Sequence, residues 1–532
     1  MPVLLYRSDR LPAPKTFDNW CTIGNVENTI LEPTLHQPVT GQELETAFDA
    51  IAPPLLQLSL NLGEETDASL SHTPAAAINV SDLSQMLAWT QVIIARAQKS
   101  ETTLVLCDDP WLFRHLAEQP QIKGNSPPNF LAPAFALWMR GIAARFAYSL
   151  KTIAVVLSER PKPYHEHGGS WLLSYGHPES TSDGHDAYFG DLMVRFPGLR
   201  RVLHVDASNE AIQKCAGNDS TENLRAWGGL AAALLLSFVR WRPSRATQQG
   251  AYGWLVKRAK ANEGATAQAA ALRWQAHCAE RWLAACRPAV VVWPWENHAW
   301  ERQFVRIARQ SGARTIGYQH ATVAQREWNY SPKTNSDGEK SLPDLILCSG
   351  AAGKDGLLAL GHPADRIRIG GALRWKNNCV RSSDPTAPVY VALPADHLIA
   401  DEMIVAIRPL AEAGQTFVVK SHPMYPYDFT DTPTLQRTDA NLADVEAISV
   451  VLYAATTVGL EALLQGLPVV RFIPQGRVSV DVVPTGFKQP AADAANLSRA
   501  LDSAEPTNIS DQVFAEPDLE TWQKVLFPSS TN

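Results

Sequence analysis

Short apolar runs that stop at polar or glycine residues recur along this chain, and they leave few folds open to it. Between residues 170 and 320 they are SWLLSYG (170–176), RRVLHVD (200–206), AVVVWPW (289–295) and RTIGYQH (314–320). Helical stretches separate some of them, such as TAQAAALRWQAHCAERWLAAC (266–286) and HAWERQFVRIARQSG (298–312). Buried strands alternating with crossover helices predict a parallel α/β sheet. A second series follows: DLILCSG (344–350), RIRIGG (366–371), PVYVALP (388–394), TFVVKSHP (416–423), ISVVLYA (448–454) and LPVVRF (467–472). The helices LIADEMIVAIRPLAEAG (398–414) and VGLEALLQG (458–466) fit between them. The polar, proline-bounded SPKTNSDGEKSLP (331–343) reads as a linker. The 532 residues exceed the ~250–300 at which one core stops growing. The expected fold class is α/β, with two Rossmann-like doubly wound domains (161–335 and 336–505) facing a crevice. An N-terminal α/β segment (1–160) of unclear role and a helical tail (506–532) complete it.

The net charge of −7 argues against nucleic acid as the main partner. Arg240, Arg242, Arg245, Lys257, Arg258 and Lys260 nevertheless fall in an acid-free stretch with Trp241, Tyr252 and Trp254 interleaved. That stretch is a solvated face or a patch for an anionic acceptor or lipid headgroups. Cysteines 21, 107, 215, 278, 286, 348 and 379 include no C-x-x-C pair, and MPVLLYRSDR has no signal-peptide core, so a cytoplasmic location is expected. FLAPAFALWMRGIAARFAYSL (130–150) is interrupted by Arg140 and Arg145. It reads as an amphipathic or buried helix, with rest on a membrane surface as the alternative.

The residues that suggest chemistry stand at strand ends, where open α/β sheets bind ligands. In VVVWPWENHAWE, Glu296 is surrounded by Trp293, Trp295 and Trp300. The indoles are expected to desolvate it and raise its pKa towards that of a general base, with Trp295 as a sugar platform. The competing reading is an acid at a helix start. His320 in GYQHA and His177 in SYGHP end strands likewise, and DGHDAYFGD, with Asp186, suits a substrate loop or a turn. In VVKSHP, Pro423 fixes the loop carrying Ser421 and His422. His422 could bond a phosphate, or be structural. In LYAATTVGLEALLQG, Thr456 and Thr457 open a helix with Gly459 just inside it, which makes an anion site or a simple cap. Glu461, one turn in, could reach a ribose or be a plain surface charge. No D-x-D, P-loop, G-x-S-x-G, H-E-x-x-H or G-x-G-x-x-G is present, so neither a metal nor a bound cofactor is expected.

WPWENHAWERQF, IGYQHATV, LPDLILCSG and RIRIGGALRW together resemble a family of bacterial surface-carbohydrate proteins, the O-antigen and capsule type of GT-B glycosyltransferase. SHP and ATTVGLEALLQGLPVV are similar to motifs of the wider group holding sialyltransferases, polysialyltransferases and Kdo transferases. The resemblance runs from residue 170 to 475. It implies a C-terminal domain that binds a nucleotide sugar, often CMP-linked, and an acceptor-side domain before it. His422 would meet the phosphate, Thr456 and Thr457 would replace the usual serines, and Glu296 would activate the acceptor. Retaining relatives use an aspartate nucleophile, for which Asp206 and Asp186 are the candidates. The expected activity is transfer of a CMP-activated acidic sugar to a glycan or glycolipid. The alternatives are a CDP-polyol phosphotransferase of the same fold and a non-catalytic nucleotide- or glycan-binding assembly protein. Peripheral contact with the inner face of the membrane goes with a glycolipid acceptor.

Overall fold

The computed structural model describes residues 3–13, 16–24, 30–78, 80–162, 168–215, 217, 219–374, 380–423, 425–484, 486–487, 489–507, 509 and 513–528. Its strands pair in parallel and form three sheets. The first Rossmann-like sheet has seven strands, in the spatial order Ile367–Ile369, Leu345–Cys348, Arg314–Gln319, Val290–Pro294, Ser170–Ser174, Leu199–Leu203 and Thr221–Asn223. The second has six: Leu435–Arg437, Phe417–Lys420, Val389–Ala392, Val451–Tyr453, Val469–Phe472 and Ala491–Ala492. The protein is thus an α/β chain with two Rossmann-like domains and an extra N-terminal parallel sheet. Val290–Pro294, Leu345–Cys348 and Val389–Ala392 are buried at every position. Helices cover both faces of such strands, which is why the sequence shows solid apolar runs rather than alternation.

One boundary differs from expectation. Leu345–Cys348 and Ile367–Ile369 extend the first sheet, not the second. The passage between domains therefore falls after Ile369 and before Val389, not at 331–343. That polar segment is packed against the first domain instead. Thr334 and Asn335 are buried, accepting hydrogen bonds from Arg302 and Asn297. Part of its polarity serves buried partners, while Lys333, Glu339 and Lys340 face solvent. Trp375 of the RIRIGGALRW stretch and Cys379 lie outside the described residues. The tail helix Leu519–Leu526 returns to the first domain, where Trp522 packs edge-on against Tyr318 at 5.3 Å and donates to the Gly370 carbonyl at 2.8 Å.

The N-terminal sheet, ordered Asn19–Thr22, Thr103–Leu106, Val3–Tyr6 and Ile122–Gly124, holds its own core. Leu255, Val256 and Ala259 of the basic helix Gly253–Gly264 join that core. This unit touches both Rossmann domains through the helix Gly41–Ala50. Glu45, buried, pairs with Arg471 of the second domain and with Arg326 of the first, the latter at 3.1 Å. Phe48 stacks on Trp328 at 4.5 Å, and Gly476 donates to the Val39 carbonyl at 2.9 Å. A segment of unclear role in the sequence is, structurally, a bracket across the two domains.

Candidate active site

Where strand order reverses in a doubly wound sheet, the loops at the carboxyl ends part and leave an opening. In the first sheet this point lies between Ser170–Ser174 and Val290–Pro294; in the second, between Val389–Ala392 and Val451–Tyr453. Glu296 follows the first opening and Thr456 the second.

The turn carrying Glu296 is held from several sides. Asn297 takes a left-handed conformation (φ 58°), which asparagine tolerates better than most residues. Its buried amide donates to the Asn329 carbonyl at 2.7 Å and to Asn335 at 2.8 Å. Asn329 returns a bond to the Glu296 carbonyl at 2.6 Å, and Arg302 donates to the Asn297 carbonyl at 3.0 Å. The fully buried Glu301 carboxyl accepts from the Glu296 and His298 backbone N–H groups at 3.0 and 2.9 Å. It thereby covers donors that the start of helix Ala299–Gln310 would otherwise leave open.

What this frame presents is a carboxylate between two imidazoles. His298 Nε2 lies 2.8 Å from Glu296 Oε2, and His320 Nε2 lies 3.9 Å from Oε1. The Glu296 side chain is 35% exposed, while those of His298 and His320 are 14% and 7% exposed. Burial pushes the Glu296 carboxyl up. The His298 hydrogen bond, with the charges of His298, His320 and Arg374, outweighs that and holds it at about 2. Burial lowers His298, but the bond to Glu296 and the charges of Glu301 and Glu296 leave it above its usual value. His320 is driven down to about 4 by burial, against the pull of Glu296.

Two expectations for Glu296 are therefore corrected. Its pKa is lowered, not raised, because the histidines and Arg374 outweigh desolvation. The tryptophans form no exposed platform: Trp293 and Trp295 are 0% exposed and Trp300 is 9% exposed. Trp295 packs edge-on against Tyr330 and His362, so it is a core residue and not an acceptor contact.

Tyr188 gathers three further aromatic rings. Its ring meets His320 at 5.2 Å, Tyr175 at 5.6 Å and His177 at 6.4 Å. The Arg374 guanidinium lies 5.0 Å from its centre. The charge of Arg374 acts on Glu296 and His320 of the first domain and on Glu461 of the second. Burial raises the Glu461 carboxyl, and the charge of Arg374 opposes that rise. His298, Tyr188 and Arg374 were not among the residues singled out from sequence. ENHAWE holds His298 two residues from its partner Glu296, whereas Tyr188 in DGHDAYFGD and Arg374 in RIRIGGALRW meet only through the fold.

Asp186 is corrected as well. It is buried, paired with Arg201 at 3.3 Å, and accepts from the Tyr188 and Phe189 backbone at 2.9 and 3.2 Å. It shapes the turn that carries Tyr188 and cannot touch an acceptor. Asp206 is exposed and lies 3.5 Å from the buried His204.

On the second domain, the strand ends bearing His422 and Thr456 are not neighbours as expected. Val389–Ala392 runs between them, a separation of about 10 Å at two strand spacings. His422 lies against Tyr425 at 5.4 Å, Ser421 Oγ accepts from Tyr427 N–H at 3.2 Å, and Pro423 is exposed. Thr456 Oγ1 accepts from the Val458 N–H at 3.5 Å, and the Thr457 side chain makes no cap bond. Gly459 is explained by packing rather than by a ligand: a Cβ there would stand 2.4 Å from the Tyr453 ring. A separate cleft of about 430 Å³, walled by Glu159, Arg225 and Asn209 at the far edge of the first sheet, holds none of these residues. Among the described residues, no group of three or more His, Cys, Asp or Glu is placed to hold a metal ion.

Glu301 supplies a test of this frame. Burial pushes its carboxyl up to about 8, with Glu296 adding to the rise; His298 and the backbone donors oppose it. An unfolded glutamic acid titrates near ~4.3. A raised folded pKa means stability that is complete below the unfolded pKa and lost as pH rises to the folded one. Denaturant melts from pH 5 to 8 are expected to show wild type losing stability relative to Glu301→Gln. Parallel curves would place the proton elsewhere.

No family model matches the chain, and no curated protein matches it. The motif resemblance is therefore not raised to a family. Solved structures similar to it include the glycotransferase of kitacinnamycin, at 12% identity over 63% of this chain and 90% of that one, with a TM-score of 0.34. A UDP-GlcNAc 2-epimerase from Methanocaldococcus jannaschii, in complex with UDP-GlcNAc and UDP, is 11% identical over 64% and 96%, with a TM-score of 0.35. The S. aureus MnaA–UDP structure is 12% identical over 67% and 96%, with a TM-score of 0.38.

Proposed function

We propose that the chain is a nucleotide-sugar enzyme that transfers a CMP-activated acidic sugar to a glycan or glycoconjugate acceptor of surface polysaccharide. The observation that carries this reading is the place of Arg374. The guanidinium lies over the Tyr188 ring, which packs against His320, and its charge lowers the pKa of carboxyl groups of both domains, Glu296 and Glu461. An exposed guanidinium suits either a donor phosphate or a sugar carboxylate, which supports this reading.

In this reading the nucleotide lies at the second sheet's opening, with Thr456, Thr457 and Glu461 on one side and Ser421, His422 and Pro423 one strand further out. The acceptor hydroxyl bonds the half-buried Glu296 carboxylate. Its oxygen attacks the anomeric carbon, the bond from that carbon to the phosphate oxygen breaks, and CMP leaves with its added charge facing Arg374. The hydroxyl proton passes to the Glu296–His298 pair, which titrates as a unit. While His298 is protonated, its charge keeps Glu296 a weak base. Losing that proton restores basicity, so turnover rises with pH through the raised His298 pKa.

Incubation with CMP-sugars and, separately, CDP-polyols in the presence of glycan acceptors tests the assignment. Acceptor-dependent CMP release from the sugar donor is expected. Consumption of the CDP-polyol alone would make the protein a phosphotransferase, and turnover of neither would remove the catalytic reading.

A further inference from the structure

The helix Leu131–Ser158, 28 residues and about 42 Å long at 1.5 Å per residue, is laid on the protein inside out. A helix on a water-facing surface buries its apolar stripe and shows its polar one. Here the residues turned inward are Gly141, Arg145, Ser149 and Thr152. Arg145 donates to the Gly264 carbonyl at 2.8 Å, and Ser149 to the Ala233 carbonyl at 2.6 Å. A Cβ at Gly141 would collide with the Gly264 carbonyl at 1.8 Å, so the helix lies flush along its middle. The outward face carries Leu131 (77% exposed), Phe135, Trp138, Met139, Ile142, Phe146, Leu150 and Leu157. The only charged residues of the helix are cations: Arg140 and Lys151, which are exposed, and the inward-facing Arg145.

The neighbouring segment repeats the pattern. Leu230, Leu234, Leu235 and Phe238 are all exposed beside it, Phe238 by 76%. The two apolar ridges form one surface because Ser149 and Arg145 bond the backbone of that segment. At the edge of this surface, Phe130, Trp138, Arg240, Lys257 and Lys260 line a cleft of about 320 Å³. Lys260 is lowered by burial and by the charges of Arg240 and Arg242, so the cations stand close together.

We propose that this face seats on an anionic phospholipid bilayer, with the helix in the plane of the interface and the basic cleft among the headgroups. Charge complementarity selects this occupant over a second copy of the chain. A two-fold contact would bring Arg140, Lys151 and the basic cleft towards their own duplicates, with no acid on the helix to meet them. The helix does not cross the bilayer, because its buried polar stripe fastens it to the body of the protein. This inference does not depend on the reaction proposed above.

Vesicle sedimentation with the full-length protein tests it. The protein is expected to bind phosphatidylcholine vesicles containing phosphatidylglycerol and to bind neutral ones much more weakly, with added salt reducing the binding. Phe146→Asp with Leu234→Asp, and separately Lys257→Glu with Lys260→Glu, should each lower partitioning by about tenfold or more. All four positions are exposed, so thermal melts should stay unchanged. Absence of binding to anionic vesicles overturns the proposal. So does a dimer, seen by light scattering, that Phe146→Asp dissociates while vesicle binding is absent; the face would then join two copies.

Discussion

Replacing Glu45 with alanine is expected to cost about 3–5 kcal/mol, the usual penalty for breaking a buried ion pair and leaving one charge alone. Glu45 and Arg471 are 3% and 6% exposed, and the Arg326 guanidinium closes on the same carboxylate. Arg471 keeps a hydrogen bond to the Ser479 carbonyl at 2.6 Å and a more distant Asp481 at 3.8 Å, and neither replaces the lost charge. Arg326 retains Asp49 at 2.8 Å, so Arg471 takes most of the loss. The interaction joins the N-terminal unit to both Rossmann domains, so its loss should also separate their unfolding. Urea denaturation followed by tryptophan fluorescence reads both effects, and adding Arg471→Met to the variant should recover part of the stability. A single variant within about 1 kcal/mol of wild type would mean that the N-terminal unit does not brace the domains.

Glu296→Gln is expected to lower turnover by about 10²–10⁴-fold, the range for a positioned base, while changing donor affinity only slightly. The substitution keeps the size of the side chain and removes its charge. It also removes the main support for the protonated form of His298, whose pKa should fall. The acid limb of the residual activity should therefore move to lower pH. A purely structural Glu296 would leave that limb in place. Wild-type turnover in the glutamine variant would transfer the proton-accepting role to another group, with the exposed Asp206 next in line.

Much of the architecture is legible in the residues because burial on both faces writes itself into them. VVVW, LILC and VYVA read as buried strands and are. Strand order is not legible in that way. A run such as LILC fits either sheet equally well, since the choice depends on which helix faces it covers. The same limit separated His422 from Thr456, whose strands are close in sequence but have Val389–Ala392 between them. At the Glu296 turn, ENHAWE suggested the wrong electrostatics. An aromatic-rich sequence implies desolvation, but Trp293 and Trp295 face the core, and the Glu296 carboxylate meets His298 instead. Arg374 stood inside a recognised stretch, yet its meaning depends on Tyr188, which reaches it only through the fold.

Calorimetric titration with CMP, CDP, UDP and GDP tests most directly whether a nucleotide binds beside Glu296 and Arg374. CMP is expected to bind wild type, and Arg374→Ala to weaken it by roughly 10–100-fold, the value of a charge-assisted hydrogen bond. Glu296→Gln should bind it nearly as wild type does. No heat of binding from any of the four nucleotides, or equal affinity in wild type and Arg374→Ala, would contradict the site.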